Sequence, residues 1–198
     1  MKHSLFSLAL VAAMLVAAPL ANASLIHLHV DLSPANEVPP TASQGTGVAD
    51  LDLDTTAQTL AGHIVFSGLT SNTTAAHIHC CLASPFQTGV NVGVATLVPA
   101  FPGFPLGVTS GTDDFLLNLA LASSYNPAFI TAQGSLANAE AAFIAALQTG
   151  RTYLNIHTTQ FGGGEIRGFV AVPEPMTASL LAVGLAAVTF VARRRRRT

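Results

Sequence analysis

Residues 48–54 read Val-Ala-Asp-Leu-Asp-Leu-Asp, and from Ala49 onward apolar and acidic side chains alternate strictly. Because successive side chains of a β-strand point to opposite faces, this alternation predicts a strand with Ala49, Leu51 and Leu53 buried and its three aspartates in water. Residues 25–32, LIHLHVDL, repeat the pattern with two histidines and an aspartate on the polar face. One polar and one apolar face is typical of antiparallel sheets.

The same period of two continues along the chain and predicts about eight strands. The alanine-rich segment 139–147 breaks it and predicts one short helix, capped by Asn138 and ended by Gly150. Residues 99–105 are too rich in Pro and Gly for a central strand and predict a loop. We therefore expect an all-β fold, an antiparallel Greek-key sandwich or small barrel, with the remaining strands at 60–66, 75–80, 90–98, 115–119, 153–158 and 165–170.

Both ends of the chain carry targeting features, so the predicted β-domain covers residues 24–172. Residues 1–23 combine a basic start, an apolar run and Ala21-Asn22-Ala23, which predicts a signal peptide. Residues 173–198 contain an apolar run at 176–192 followed by five arginines, which predicts a C-terminal transmembrane helix with a cytoplasmic basic tail.

The predicted domain is acidic. Residues 24–172 contain two arginines and nine acidic residues, a formal net charge of −7 with neutral histidines. Such a surface repels nucleic acid and offers no phosphate-binding footprint, and it suits cations instead.

The stretch Ala75–Cys81, AAHIHCC, holds the residues with the most chemical potential. His77 and His79 are two apart on a predicted strand, so both project from the same face, away from the core. Such a pair chelates Cu(II) or Zn(II), but tight binding needs a third ligand. His157 is the best candidate because its strand also turns it away from the core. A second pair, His27 and His29, lies on the first predicted strand. We interpret it as part of an ordinary polar strand face, with an additional weak metal site as the alternative.

Cys80 and Cys81 are adjacent and are the chain's two cysteines. In an oxidising, exported setting we favour a disulfide between them at the strand end. Two alternatives stay open, namely thiols that supply a soft ligand beside His79 and a link between molecules.

Three further charged residues lie near the ends of predicted strands. Glu165 and Arg167 share one face at strand spacing, which favours a structural ion pair. Glu37, followed closely by two prolines, either caps a turn or pairs with Arg167. No Ser/His/Asp elbow or phosphate-cradling glycine loop stands in strand-to-helix context.

Four ordered motifs carry a family resemblance. They are Glu37-Val38-Pro39-Pro40, Ala76-His77-Ile78-His79, Tyr153–Thr158 (YLNIHT) and Gly164–Gly168 (GEIRG). Together they resemble the CHRD (chordin-type) domain, a secreted β-domain, over roughly residues 28–170. The HxH strand and Gly150-Arg151-Thr152, followed by His157, are more distantly similar to the copper-ligand strands of Cu/Zn superoxide dismutases. That likeness implies copper ligands at His77, His79 and His157, but the chain lacks any histidine between His79 and His157 for a zinc site or bridge.

The C-terminal segment also resembles a known signal. Pro173, Glu174 and Pro175, then the apolar span and the arginine cluster, are similar to the PEP-CTERM sorting signal of Gram-negative bacteria. The resemblance implies transient membrane anchoring, an exosortase-type processing protease, and release to the cell surface or an exopolysaccharide matrix.

These features lead to three functional hypotheses. The first is a non-enzymatic, exported domain that binds a transition metal through the three histidines, with copper favoured and zinc as the alternative. The second is a structural or adhesive matrix module without metal. The third is a copper enzyme that handles superoxide.

Overall fold

A computed structural model describes residues 25–83 and 88–171. The predicted signal peptide, the motif at 173–175 and the C-terminal span lie outside the described residues. Within the described ranges, no helix is both long enough and apolar enough to cross a bilayer.

Seven strands and two α-helices make up the described part of the chain. Their bounds are β1 Leu25–Leu32, β2 Thr46–Asp54, β3 Thr59–Ser67, β4 Thr73–Cys80, β5 Gly111–Asn118, α1 Pro127–Gln133, α2 Leu136–Gln148, β6 Thr152–Thr158 and β7 Ile166–Phe169. The first sheet has the strand order β1-β2-β3-β5 and is antiparallel throughout. The second sheet has the order β4-β6-β7 and is also antiparallel.

The two sheets meet along one edge, where β1 passes beside β7. Ser33 and Arg167 exchange backbone hydrogen bonds of 2.9 and 3.2 Å, and His29 does the same with Ala171. The described residues form no closed barrel, so the predicted antiparallel sandwich is confirmed and the alternative of a small barrel is wrong.

The core lies between the sheets, on the face that the alternation predicts. Ala49, Leu51 and Leu53 of β2 are at most 1 % exposed, and Ala76 and Ile78 of β4 are fully buried. Helix α2 covers this core with Phe143 and Leu147, both completely buried. Burial of side chains of this size contributes about 1.5–3 kcal/mol each, so the core is what holds the sheets together.

The prediction of a single short helix is wrong in two respects. Helix α1 was not expected from the sequence; it starts at Pro127 after Asn126, whose side chain accepts a hydrogen bond from the Ala128 amide. Helix α2 begins earlier than predicted because Ser135, rather than Asn138, is its N-cap. Proline at the first helical position after a capping Asn is a helix start signal, and the sequence carries it at Asn126-Pro127.

The predicted strand at 90–98 is also wrong. This segment runs beside β4 but makes only isolated bridges, such as His79 with Val94. Ile78 O accepts hydrogen bonds from both Ala95 N and Thr96 N, at 2.9 and 3.3 Å, which a regular ladder does not allow. The alternating valines of residues 90–98 favour a strand, but the backbone follows an irregular path. Several of its carbonyl groups therefore lie outside any strand ladder and can accept hydrogen bonds from side chains.

The outer face of the first sheet carries a cross-strand row of histidines and aspartates, as predicted for a polar face. His29 and Asp50 lie 2.6 Å apart through Nδ1 and Oδ1, and His63 and Asp114 are at the same distance. The hydrogen bond to Asp50 raises the pKa of His29. All these side chains are about half exposed or more, so the row is a solvated surface.

Candidate metal centre

Strands β4 and β6 are neighbours, and their register brings the three predicted ligands to one face. His77 lies opposite Asn155 and Ala75 lies opposite His157. Side chains of directly opposed residues share a face, so the rings of His77, His79 and His157 project from the same side of the second sheet. The structure therefore brings together all three histidines that the sequence singled out.

This face points away from the core, as predicted, but loops cover it. His77, His79 and His157 are 5 %, 9 % and 8 % exposed. The irregular segment 88–100 and the turn that follows β6 lie against the rings, and Glu37 from the segment after β1 lies 3.4 Å from Asn155 on the same face. A face that alternation alone would leave in water is thus a second buried layer.

Each of the three rings is oriented by a backbone carbonyl. The Nδ1 atoms of His77, His79 and His157 lie 3.2, 2.7 and 3.0 Å from the oxygens of Pro99, Val92 and Gly162. A carbonyl oxygen can only accept, so every Nδ1 carries a proton and donates it. Every Nε2 of a neutral ring then holds a lone pair, which is the arrangement that metal-binding histidines require.

The Nε2 lone pairs converge. His157 Nε2 and His77 Nε2 are 3.0 Å apart, and His79 Nε2 is buried with no hydrogen-bond partner in residues 25–83 and 88–171. Two lone pairs at this distance repel each other unless a cation lies between them. Orphaned buried acceptors are rare in folded proteins, so this cluster of three Nε2 atoms is suited to a shared cationic ligand.

Burial keeps these rings neutral. Desolvation lowers the pKa of His77 to about 4, with a further contribution from His157, and lowers the pKa of His79 to about 3. Desolvation also lowers the pKa of His157. A proton therefore cannot serve as the shared cation at neutral pH.

The candidate ligand atoms are almost close enough together to bind one metal ion. One ring nitrogen from each histidine lies within 4.8 Å of the others. Zinc and copper bond to imidazole at about 2 Å, so two ligands of one ion are at most about 4 Å apart. A ring rotation that closes the widest pair by less than about 1 Å completes the site.

The cysteines lie elsewhere. Cys80 and Cys81 are bonded to each other in a disulfide. Cys80 follows His79 on β4 and packs in the core on the opposite face, and Cys81 Sγ lies 3.9 Å from Ala142 O of α2. Neither sulfur faces the histidines, so the candidate ligand group consists of nitrogen atoms alone.

The predicted ion pair between Glu165 and Arg167 is wrong, whereas the pairing of Glu37 with Arg167, one of the two roles predicted for Glu37, is confirmed. Arg167 Nη2 lies 3.1 Å from Glu37 Oε2, and both side chains are buried. Burial raises the pKa of Glu37 to about 7 against the attraction of Arg167. The carboxylate of Glu165 instead accepts hydrogen bonds at three places, which together lower its pKa although burial alone would raise it. The donors are the Ser43 hydroxyl, the Thr158 hydroxyl and the Thr70 amide.

Sequence reasoning missed the residues that orient the ligands. No side-chain pattern marks the carbonyls of Val92, Pro99 and Gly162, because any residue offers the same group. Tyr153 was detectable in principle, since it alternates with His157 and so shares its face. Its ring stacks on that of His79 at 4.5 Å between centroids and 12° between planes.

The fold and the site together define an antiparallel β-sandwich domain with a buried cluster of three histidines on the second sheet. The chain belongs to the CHRD domain family, whose model matches residues 28–170. No curated protein and no solved structure matches the chain. The expected family is thus confirmed over nearly all of the described residues.

Proposed function

We propose that this chain is an exported, non-enzymatic domain that binds one transition-metal ion through His77, His79 and His157. The observation that carries the proposal is the set of three buried rings whose Nδ1 atoms all donate to backbone carbonyls and whose Nε2 atoms converge. Metal-binding histidines are held in this way by partners on the other ring nitrogen.

Copper is the favoured ion, with zinc as the alternative. Imidazole suits both, and Cu(II) stands above Zn(II) in the affinity order for nitrogen ligands. The set contains no carboxylate or thiolate, which makes Ca²⁺ and Mg²⁺ poor candidates because they prefer oxygen.

The place of action in this proposal is the cell surface or exopolysaccharide matrix of a Gram-negative bacterium. The support comes from the two chain ends: a signal peptide at 1–23, and the order of Pro173-Glu174-Pro175, apolar span and arginines in the tail. An exosortase-type protease would act on that tail after it has anchored the chain transiently in the membrane.

Two other functions compete. A structural or adhesive matrix module would use the histidines only to support loops, but this leaves His79 Nε2 without a partner among the described residues. A superoxide-handling copper enzyme needs an accessible metal and a free cation to attract the anion. Here the ligands are at most 9 % exposed, and Arg167 is buried against Glu37.

Copper titration of the purified full-length chain tests the proposal. We expect one Cu(II) per chain with sub-micromolar affinity by calorimetry and nitrogen ligation by electron paramagnetic resonance (EPR). The double variant His77→Ala/His157→Ala should lose this binding, and the matched control His27→Ala/His29→Ala, which removes the exposed HxH pair, should keep it.

Micromolar or weaker binding that is unchanged in the first variant would remove the metal hypothesis and favour the structural module. A superoxide assay on the loaded chain tests the enzyme, since a rate above that of free copper would favour it.

A further inference from the structure

His79 depends on an irregular loop for its orientation. Its Nδ1 donates to the carbonyl of Val92 at 2.7 Å, and Val92 lies in the segment 90–92 that fails to form a strand. Residues 90–92 lack the hydrogen-bond ladder that stabilises a strand. Contacts with other parts of the chain must therefore fix the position of the Val92 carbonyl.

Two buried side chains, those of Tyr153 and Arg167, form hydrogen bonds with that segment. The Tyr153 hydroxyl accepts from Val92 N at 3.2 Å and donates to Val92 O at 3.3 Å. Arg167 donates from Nη1 to Val90 O at 3.3 Å and from Nη2 to the side-chain oxygen of Asn91 at 2.5 Å. All three consecutive residues of the segment are therefore tied to β6 or β7.

The two holding residues are themselves fixed. The Arg167 guanidinium lies 4.1 Å from the centre of the Tyr153 ring and also pairs with Glu37. The Tyr153 ring in turn stacks on the His79 ring, with centroids 4.5 Å apart and 12° between the ring planes. A continuous buried chain thus runs from Glu37 through Arg167 and Tyr153 to His79, and a cation over an aromatic face adds to its stability.

We propose that Tyr153 and Arg167 are positioning residues that make His79 the third metal ligand. They act through the loop 90–92, which presents the Val92 carbonyl to His79 and thereby sets both the ring angle and the protonated nitrogen. Without them the loop is released, and the site keeps only His77 and His157. The inference rests on the proposed metal binding for its functional meaning, but the positioning itself is a property of the metal-free protein.

The variant Tyr153→Phe isolates this role, because it removes the hydroxyl and keeps the ring that stacks on His79. Tyr125→Phe is the matched control: Tyr125 is the other tyrosine, is 2 % exposed, and its hydroxyl has no hydrogen-bond partner in the described ranges. We expect Tyr153→Phe to weaken Cu(II) binding by about 10–100-fold, as for other outer partners of metal ligands. Its EPR spectrum should show coupling to two nitrogens instead of three, and Tyr125→Phe should change neither quantity.

Arg167→Lys is the second variant. It keeps the positive charge near Glu37 but cannot reach both Val90 and Asn91 as the guanidinium fork does, so we expect the same change in the EPR spectrum. If it fails to fold, Tyr153→Phe alone decides the matter.

A measurement without metal separates this inference from the proposed function. In the metal-free chain labelled with ¹⁵N, the His79 Nδ1 proton should give a protected resonance that is lost in Tyr153→Phe and kept in Tyr125→Phe. If the wild-type chain binds no copper but this resonance behaves as stated, the function is wrong and the positioning stands. If the resonance and the nitrogen coupling are unchanged in both Tyr153→Phe and Arg167→Lys, the positioning is refuted.

Discussion

Metal affinity should be almost independent of pH between 7 and 5. An imidazole with an ordinary pKa of about 6.5 is about 97 % protonated at pH 5, which weakens metal binding about 30-fold for each ligand. Three such ligands would together weaken binding by about 3 × 10⁴-fold. In the folded protein the pKa of His77 is about 4 and that of His79 about 3, and burial lowers that of His157 as well. Protons therefore barely compete, and we expect a change of less than about tenfold.

The assay is a competition titration of the full-length chain with a chelator of known pH dependence, repeated at pH 7, 6 and 5. Calorimetry in two buffers of different ionisation enthalpy gives the number of protons released, which should be close to zero at pH 6. A loss of affinity above a thousandfold between pH 7 and 5, with one or more protons released per ion, would refute the reasoning. It would mean that the three rings are solvated and not buried.

The free energy of unfolding of the metal-free chain also depends on pH through the same pKa values, and it falls as these histidines become protonated. The unfolded chain takes up protons at its histidines near pH 6.5, but folded His77 and His79 do so only near 4 and 3. Stability from each ring is thus present above pH 6.5 and declines below it, by about 2 kcal/mol per ring at pH 5. Burial of Glu37, whose pKa is raised to about 7, acts in the opposite direction because the folded state binds that proton first. Circular dichroism should therefore be recorded at each pH of the titration to show that the chain is still folded.

The remaining predictions concern stability and sorting. Copper at about 100 times its dissociation constant should stabilise the chain by about 2.7 kcal/mol, which raises the melting temperature by about 5–10 °C in thermal denaturation; no shift would contradict specific binding. Gly164→Ala should destabilise by about 2–5 kcal/mol in urea, because φ is +125° and an added Cβ would lie 2.5 Å from the Asn155 side chain and 2.6 Å from Glu37 Oε1. Gly134→Ala is its control, with φ at +83° but no atom within 4 Å of the Cβ, and an equal loss in both would show that crowding is unimportant. Replacing Pro173, Glu174 and Pro175 with alanine should retain the chain in the membrane fraction, and unchanged release would contradict the sorting role.

The sequence predicted the regular part of the fold well because the alternation of buried and exposed residues is local. β1 spans the predicted residues 25–32, and β2 includes the predicted 48–54. The choice between sandwich and barrel depends on contacts between distant segments, which a local pattern does not contain. The segment 90–98 shows this most clearly, since its alternating valines match a strand and its backbone follows another path.

For the candidate site, the sequence by itself determined that His77, His79 and His157 each project from the side of their strand that faces away from the core, because strand alternation fixes this direction. It could not show that the two strands are neighbours or that this side is buried. Only the tertiary structure decided that loops cover the rings, that carbonyls of Val92, Pro99 and Gly162 set their protonated nitrogens, and that Glu37 rather than Glu165 pairs with Arg167. The physical reason is that a side chain's direction follows from its own strand, whereas its solvation and hydrogen-bond partners come from segments up to 130 residues away, such as Glu37 for Arg167.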